Sequence, residues 1–500
     1  MRDNVRYRNI VQYLALAFLT VVLCGQLLHT WKDSGSAATR DENLVRDFKA
    51  FYCAGAVANA GDDPYLDAPV QRCGSRAGTP PAFTANGVFP APLPGYDVAL
   101  FRVFALMPYR TAAIVWLALS IAALSAAVLI TARIGRVAPL LVFVAFALPL
   151  YFACLQWGQL PPIVVGCLAV AVLAIRERRY LLASVMCLLT TLEPHVGIPI
   201  CIAMFLWIPA SRVAIAVGAV VLAGISIAAF GLAENVEFVR PVLTYQALSE
   251  VPAANQFSAN WVAWTLGAPE GLAVRIGSID YAVMAVLGVY LARAVSRATG
   301  AFEAVILVPA VTVLLGGAYS HVTQISIAIA AGIMLAALLP KGRRAIWIAI
   351  LLLAPLGYDV SGERLLSATH IETIVVVAVI AYAALFGIPL RARLGGAIVV
   401  TLAYCVLLVG LPHLPHDSIR TASSGAAYLH QFGPDARYAA VHWGAYLRDL
   451  PGATGSSLFI IANKVPRWVA LLLMIGAIAA NARRHGASGT RVGTPVMAAP

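Results

Sequence analysis

Residues 180–208 read YLLASVMCLLTTLEPHVGIPICIAMFLWI, and the way this stretch meets a bilayer decides the topology of everything after it. At 29 residues it exceeds the roughly 20 that one upright helix needs to span hydrocarbon, yet it is short for two full spans. Glu193-Pro194-His195 interrupts it in the middle, where the proline removes a helical hydrogen bond. Read as a single crossing, it leaves Arg212 and every later basic cluster outside. Read as two short or re-entrant halves, it returns. The clusters Arg133/Arg136, Arg176/Arg178/Arg179, Arg212, Arg293/Arg297, Lys341/Arg343/Arg344, Arg391/Arg393 and Arg483/Arg484 then all fall in the cytoplasm, as the positive-inside rule requires. The hairpin is the expected arrangement.

Outward from it, further apolar segments lie near 111–132, 137–154, 161–175, 213–232, 281–298, 301–318, 322–340, 345–358, 371–389, 395–411 and 466–482. A first one, Asn9 to Trp31, follows Arg2, Arg6 and Arg8; it is too long for the 7–15-residue apolar region of a signal peptide and reads as a retained span. The expectation is an all-α polytopic membrane protein of roughly 12–14 transmembrane helices, with both termini cytoplasmic. Residues 1–482 form one domain and 483–500 a disordered cytoplasmic tail. Polar mass is concentrated in three outer loops, about 31–110, 233–280 and 412–465.

Composition agrees. The 500 residues are 61% hydrophobic and 12% charged, against about 25% charged in soluble domains, which excludes an isolated soluble enzyme, a DNA-binding module and a disordered chain. In this topology the net +12 divides into a cytoplasmic +16 (19 basic, 3 acidic) and an outer −4 (16 basic, 20 acidic). The positive charge is thus an orientation signal that meets membrane lipids, and no nucleic-acid partner is expected. Of the eight cysteines, only Cys53 and Cys73 share an aqueous outer loop; in an oxidising compartment they are the pair expected to form a disulfide. No GxxxxGK[ST], GxGxxG or DxD motif is present. No cofactor and no metal are expected, and an activated substrate would arrive within the lipid.

Four constellations carry polar chemistry. The first is Arg46-Asp47-Phe48-Lys49-Ala50-Phe51-Tyr52-Cys53-Ala54-Gly55, continuing to Gly61-Asp62-Asp63-Pro64-Tyr65. Ala50, Ala54, Gly55 and Ala58 suit a helix lying close against another. On pattern alone Asp47 is a first-turn carboxylate favoured by the helix dipole. The second, Gln156-Trp157-Gly158-Gln159, fits equally a polar turn in an aromatic belt and a set of donors for sugar hydroxyls. The third is Glu193-Pro194-His195, ionisable within an apolar hairpin and so a functional candidate, with a Glu–His pair stabilising the broken helix as the alternative. Asn255-Gln256-Phe257-Ser258 and Tyr319-Ser320-His321-Val322-Thr323-Gln324 form the fourth, where His321 alone reads first as a satisfied interfacial histidine.

In this order the motifs resemble glycosyltransferase family 87 of the GT-C superfamily, over roughly residues 10–340. Asp47-Phe48-Lys49-Ala50-Phe51-Tyr52-Cys53-Ala54-Gly55 followed by Gly61-Asp62-Asp63-Pro64-Tyr65 is similar to that family's first outer helix. Phe89-Pro90-Ala91-Pro92-Leu93-Pro94 resembles its proline-rich approach to the next span, Gly158-Gln159 its Gly-Gln turn and Asn255-Gln256-Phe257-Ser258 its Asn-Gln-Ser element. The chain departs from it where the family commonly has Lys-Pro, here Glu193-Pro194, and in its Tyr319-Ser320-His321 element.

The resemblance implies a GT-C-like fold and a sugar donor on a polyprenyl phosphate, whose phosphate leaving group makes a nucleotide fold unnecessary. It implies transfer of mannose or another hexose or pentose to a lipid or glycan acceptor at the outer, periplasmic face of a bacterial inner membrane. Asp47 would be the general base and His321 the second catalytic residue, the phosphate charge being neutralised by His321 or by Arg46 and Lys49 beside the base. Arg46, Lys49, Tyr52, Tyr65, Gln159, Glu193, His195, Asn255 and Gln256 would bind substrate. One base and direct displacement predict inversion. The competing class is a transporter or flippase of lipid-linked glycans, which the broken charged hairpin would suit; a polymerase or ligase of such glycans shares the superfamily.

Overall fold

The computed structural model describes residues 45–76, 90–317, 319–355, 369–385 and 389–482. The expected first span, the tail 483–500 and the side chain of Arg46 lie outside the described residues. The protein is an all-α polytopic membrane protein: 79% of the described residues are helical, and no strand occurs among them. Among the described residues, six helices are long and apolar enough to cross a membrane, and five shorter apolar helices accompany them.

In chain order the elements used below are α1 (Arg46–Asn59), α2 (Asp67–Arg76), α3 (Gly95–Phe104) and α4 (Tyr109–Gly135). Next come α5 (Pro139–Trp157), α6 (Pro161–Arg176), α7 (Tyr180–Leu192), α8 (Pro194–Trp207) and α9 (Arg212–Phe230). The middle of the chain holds α10 (Leu243–Glu250), α11 (Ala259–Thr265), α12 (Glu270–Thr299), α13 (Ala304–Thr312) and α14 (Val322–Leu338). Beyond it are α15 (Arg343–Leu353), α16 (Thr369–Ala384), α17 (Leu390–Gly410), α18 (Ala439–Asp449) and α19 (Leu458–Ala482).

One core runs through the bundle, lined by α5, α6, α13 and α14. The basic clusters gather at one end of it. There Arg176 pairs with Glu303 at 3.4 Å, the Arg293 guanidinium lies 4.4 Å over the Trp207 ring, and Asn481 bonds both the N–H and the C=O of Lys341.

The 180–208 stretch is a hairpin of two short helices turning at Glu193. Tyr281 donates to the His195 carbonyl at 3.0 Å and Trp207 to the Val289 carbonyl at 2.9 Å, so α8 descends beside α12 to the basic end. Fourteen residues rise only about 20 Å against a hydrocarbon core of about 30 Å. The Glu193 turn is therefore recessed within the bundle. The segment 301–318, expected as a full span, is instead the nine-residue α13 followed by turns, buried on every side. Enclosed by neighbours, it has no need to reach both surfaces, and Pro309 inside it removes one helical donor.

At the opposite end the loops pack into one cap. Leu66 bridges to Tyr438, Ala253 to Thr454 and Arg420 to Ser456. Arg448 places Nη2 2.8 Å from both oxygens of Glu270 and stacks 3.6 Å over Tyr428. Cys53 of α1 and Cys73 of α2 are joined by a disulfide, Cα–Cα 5.6 Å, across 20 residues. Closing such a loop is worth roughly 3 kcal/mol in the chain-entropy account. Cys53→Ala with Cys73→Ala is therefore expected to lower the unfolding temperature of the purified protein in detergent, and an unchanged Tm would show that the cap holds α1 without the bridge.

Candidate active site

Helix α1 is seated by aromatic packing. Phe48 is fully buried, stacked on Trp116 at 5.4 Å and edge-on to Phe104 at 5.8 Å; burial of this kind is worth several kcal/mol when lost. Gly55 lies so close to α3 that a Cβ would sit 2.3 Å from the backbone of Phe101, which explains the small residues on this face. Two residues before Lys49, Asp47 stands on the less buried side of the helix.

The turn after α5 meets it there. Ala147–Cys154 is a π-helical segment containing Pro149, a wider turn that accommodates the missing donor, and it delivers Leu155–Trp157 into a left-handed Gly158 at φ 72°. Trp116 Nε1 donates to the Gly158 carbonyl at 3.0 Å. A Cβ on Gly158 would lie 2.7 Å from Val45 Cβ and 2.8 Å from Phe48 Cβ. The next residue, Gln159, donates from Nε2 to Asp47 Oδ2.

A second cluster assembles around His321 at the start of α14. Its Nε2 lies 3.3 Å from Glu250 Oε2 and 3.1 Å from Gln256 Nε2. Gln256 is oriented through its Oε1, which accepts from Ser320 N at 2.8 Å and from Ser258 Oγ at 3.1 Å. Glu250 also accepts from Trp443 Nε1 at 2.8 Å and from Gln246 Nε2 at 3.2 Å. Gln324 links the cluster to the hairpin turn, its Oε1 accepting the His321 N–H at 3.0 Å and its Nε2 donating to Glu193 Oε1 at 3.4 Å. His195 Nδ1 stands 3.5 Å from Glu193 Oε2. Beneath, Lys464 of α19 holds the carbonyls of Ala254 and Gln256 and lies 4.3 Å over Trp261.

The charges of the clusters act on one another. Burial pushes the His321 imidazole down, but Glu250, then Asp47 and Glu193, outweigh it and raise it above its usual 6.5. Burial pushes the Glu250 carboxyl up, while His321, Trp443 and Gln256 together hold it below its usual 4.5. Asp47, held by the Gln159 amide, and His321, braced by the buried Glu250, thus act on one another across the site.

Of the residues singled out from the sequence, Asp47, Gln159, Glu193, His195, Gln256 and His321 come together here. Asn255 is exposed beside them. Tyr52 and Tyr65 do not join. Lys49 is buried with its ammonium 5.2 Å from the Tyr109 ring centre. Tyr52 donates to the Met107 carbonyl at 2.9 Å, and Tyr65 to the Leu93 carbonyl at 2.7 Å. Their hydroxyls fasten α1 and its following loop to the residues around α3.

Glu250, Gln246 and Trp443 escaped the sequence reading, because an acid ending a short amphipathic helix and an indole 193 residues away carry no local signature. Asp97 was missed as well. It is wholly buried with no partner for either oxygen, and burial followed by Glu193 pushes its carboxyl well above the usual range, which favours the protonated, neutral form. Asp97→Asn, which keeps that shape and neutrality, is expected to leave the melting temperature within the small range of a surface substitution; a large fall would show that an ionised carboxylate is needed there.

The fold thus defines a membrane-embedded protein with one recessed, capped site rich in carboxylates and amides. Residues 96–316 match the model of glycosyltransferase family 87; the resemblance found in the motifs stands, and the protein is a glycosyltransferase. The matched stretch includes Gln159, Glu193, Glu250 and Gln256, while Asp47 and His321 flank it. No curated protein matches the chain.

Proposed function

We propose that the protein transfers a sugar, mannose or another hexose or pentose, from a polyprenyl-phosphate donor to a lipid or glycan acceptor, with inversion. The observation that carries this reading is the pairing of Asp47, held by the Gln159 amide, with His321, which Glu250 braces at 3.3 Å and whose imidazole the carboxylates around it raise above its usual 6.5. Asp47 takes the proton of the acceptor hydroxyl as that oxygen attacks the anomeric carbon. The bond from that carbon to the phosphate oxygen breaks, and the polyprenyl phosphate leaves carrying the negative charge. His321 stands on the side where that charge develops, a preorganised electrostatic role. Gln159, Gln256, Glu193 and His195 supply the donors and acceptors that hold sugar hydroxyls, and Asn255 lines the entrance.

We place the site at the outer, periplasmic face of a bacterial inner membrane, with both termini in the cytoplasm. Support comes from the Arg176, Arg293 and Lys341 contacts, which gather at the end opposite the cap, as the positive-inside rule asks of a cytoplasmic end. Incubating the reconstituted protein with polyprenyl-phosphate [14C]mannose or [14C]arabinose and a membrane lipid extract tests the reading. A new labelled glycoside supports it; label that remains on the polyprenyl carrier with both donors contradicts it.

A further inference from the structure

We propose that Glu250 is the positioning residue of His321, holding the imidazole by Nε2 as the cation that receives the donor's phosphate, and that Trp443 of the late loop completes this support. The inference rests on the donor reading above and deepens it. Its basis is geometric. Glu250 is 3% exposed, yet it is approached by Trp443 Nε1 at 2.8 Å, Gln246 Nε2 at 3.2 Å, His321 Nε2 at 3.3 Å and Gln256 Nε2 at 3.4 Å. A buried carboxylate so surrounded is stabilised in its charged form.

The groups providing this support come from distant parts of the chain. Glu250 and Gln246 lie on α10, Gln256 on the segment pinned by Lys464, and Trp443 on α18 of the cap. His321, by contrast, retains a quarter of its side-chain surface exposed. The arrangement leaves one partly open cation on a closed anionic base. The carboxylates that act on His321 are Glu250, Asp47 and Glu193, and the neighbouring imidazole is that of His195. Glu193 is engaged by Gln324 and His195, and Asp47 by Gln159, so Glu250 is the carboxylate in contact with the ring.

The consequence is a pH dependence of definite sign. A raised folded-state value for His321 means that its charge, and the stability it lends, is complete below 6.5 and is lost as pH rises through the higher folded value. A lowered value for Glu250 means that its contribution is complete above 4.5 and is lost only as pH falls through the lower folded value. Both groups are charged between these limits. Phosphate affinity therefore fails on the alkaline side, at a midpoint that Glu250 sets.

Decaprenyl phosphate, the carrier without its sugar, serves as probe, with binding to the full protein in nanodiscs followed by native mass spectrometry across pH. Wild type is expected to lose affinity on the alkaline side. Glu250→Gln should move that midpoint down by about one pH unit and weaken binding about tenfold at a pH well above both midpoints. Glu250→Asp, which keeps the charge, should recover most of the shift, and His321→Gln should flatten the profile. A midpoint unmoved in correctly folded Glu250→Gln or lost equally in Glu250→Asp overturns the positioning role while leaving the donor reading intact. Should Glu250→Gln not fold, a Glu250→Asp midpoint moved down by a full unit overturns the role, and a midpoint near wild type, with the profile flattened by His321→Gln, supports it. Absence of decaprenyl phosphate binding in wild type overturns the donor reading and this inference with it.

Discussion

Replacement of Asp47 by Asn is expected to abolish transfer, with a fall in turnover of about 10²–10⁴-fold, while the protein inserts and melts as wild type does. The substitution keeps the shape of the side chain, so Gln159 retains a partner at that position and Phe48, fully buried against Trp116, keeps α1 seated. What disappears is the ability to accept a proton from the acceptor hydroxyl. Because the loss falls on the chemical step, it should appear in kcat more than in KM for the donor. Radiolabelled transfer with purified, reconstituted enzyme measures it; turnover retained within a factor of about three would remove Asp47 from the role of base.

Gly158→Ala is expected to approach the same loss by a different route. Gly158 combines a left-handed backbone, φ 72°, which side chains other than glycine rarely adopt, with a contact in which a Cβ would lie 2.7 Å from Val45 and 2.8 Å from Phe48. Both neighbours are buried, at 2% and 0% exposure, so neither can move aside cheaply. The turn must withdraw from α1 and carry Gln159 away from Asp47. A displacement near 1 Å at a reacting group costs about 100-fold in rate. The signature that separates this from the loss of a base is stability: Gly158→Ala should also lower Tm, whereas Asp47→Asn should not. Full activity in Gly158→Ala would show that the turn does not place Asp47.

Much of the architecture was legible in the chain because membrane burial writes long apolar periods and basic ends. The hairpin over 180–208 follows from its length and from Glu193-Pro194, and the close approach of α1 from Ala50, Ala54 and Gly55. The segment 301–318 was less legible: hydropathy cannot distinguish a full span from the short α13, which is buried by protein on all sides. The site divides in the same way. Asp47, Gln159, Gln256 and His321 stand out as polar residues at apolar borders, and they converge. Tyr52 and Tyr65 share a motif with Asp47, but Tyr52 lies on a different face of α1 and Tyr65 in the loop beyond it, and two carbonyls engage their hydroxyls. Glu250 depends on partners far along the chain, Trp443 and His321, and Asp97 is buried by the fold with no partner for either oxygen; no local pattern can announce either.

The donor is the centre of the account, and the product of the reaction reports on it most directly. Purified protein in liposomes, given a polyprenyl-phosphate sugar labelled at the anomeric carbon and a lipid acceptor extract, should convert the label into a glycoside whose anomeric configuration, read by NMR, is opposite to that of the donor. Asp47→Asn liposomes should leave the donor intact. Retained anomeric configuration, or label that crosses the bilayer still attached to its carrier, would contradict the account.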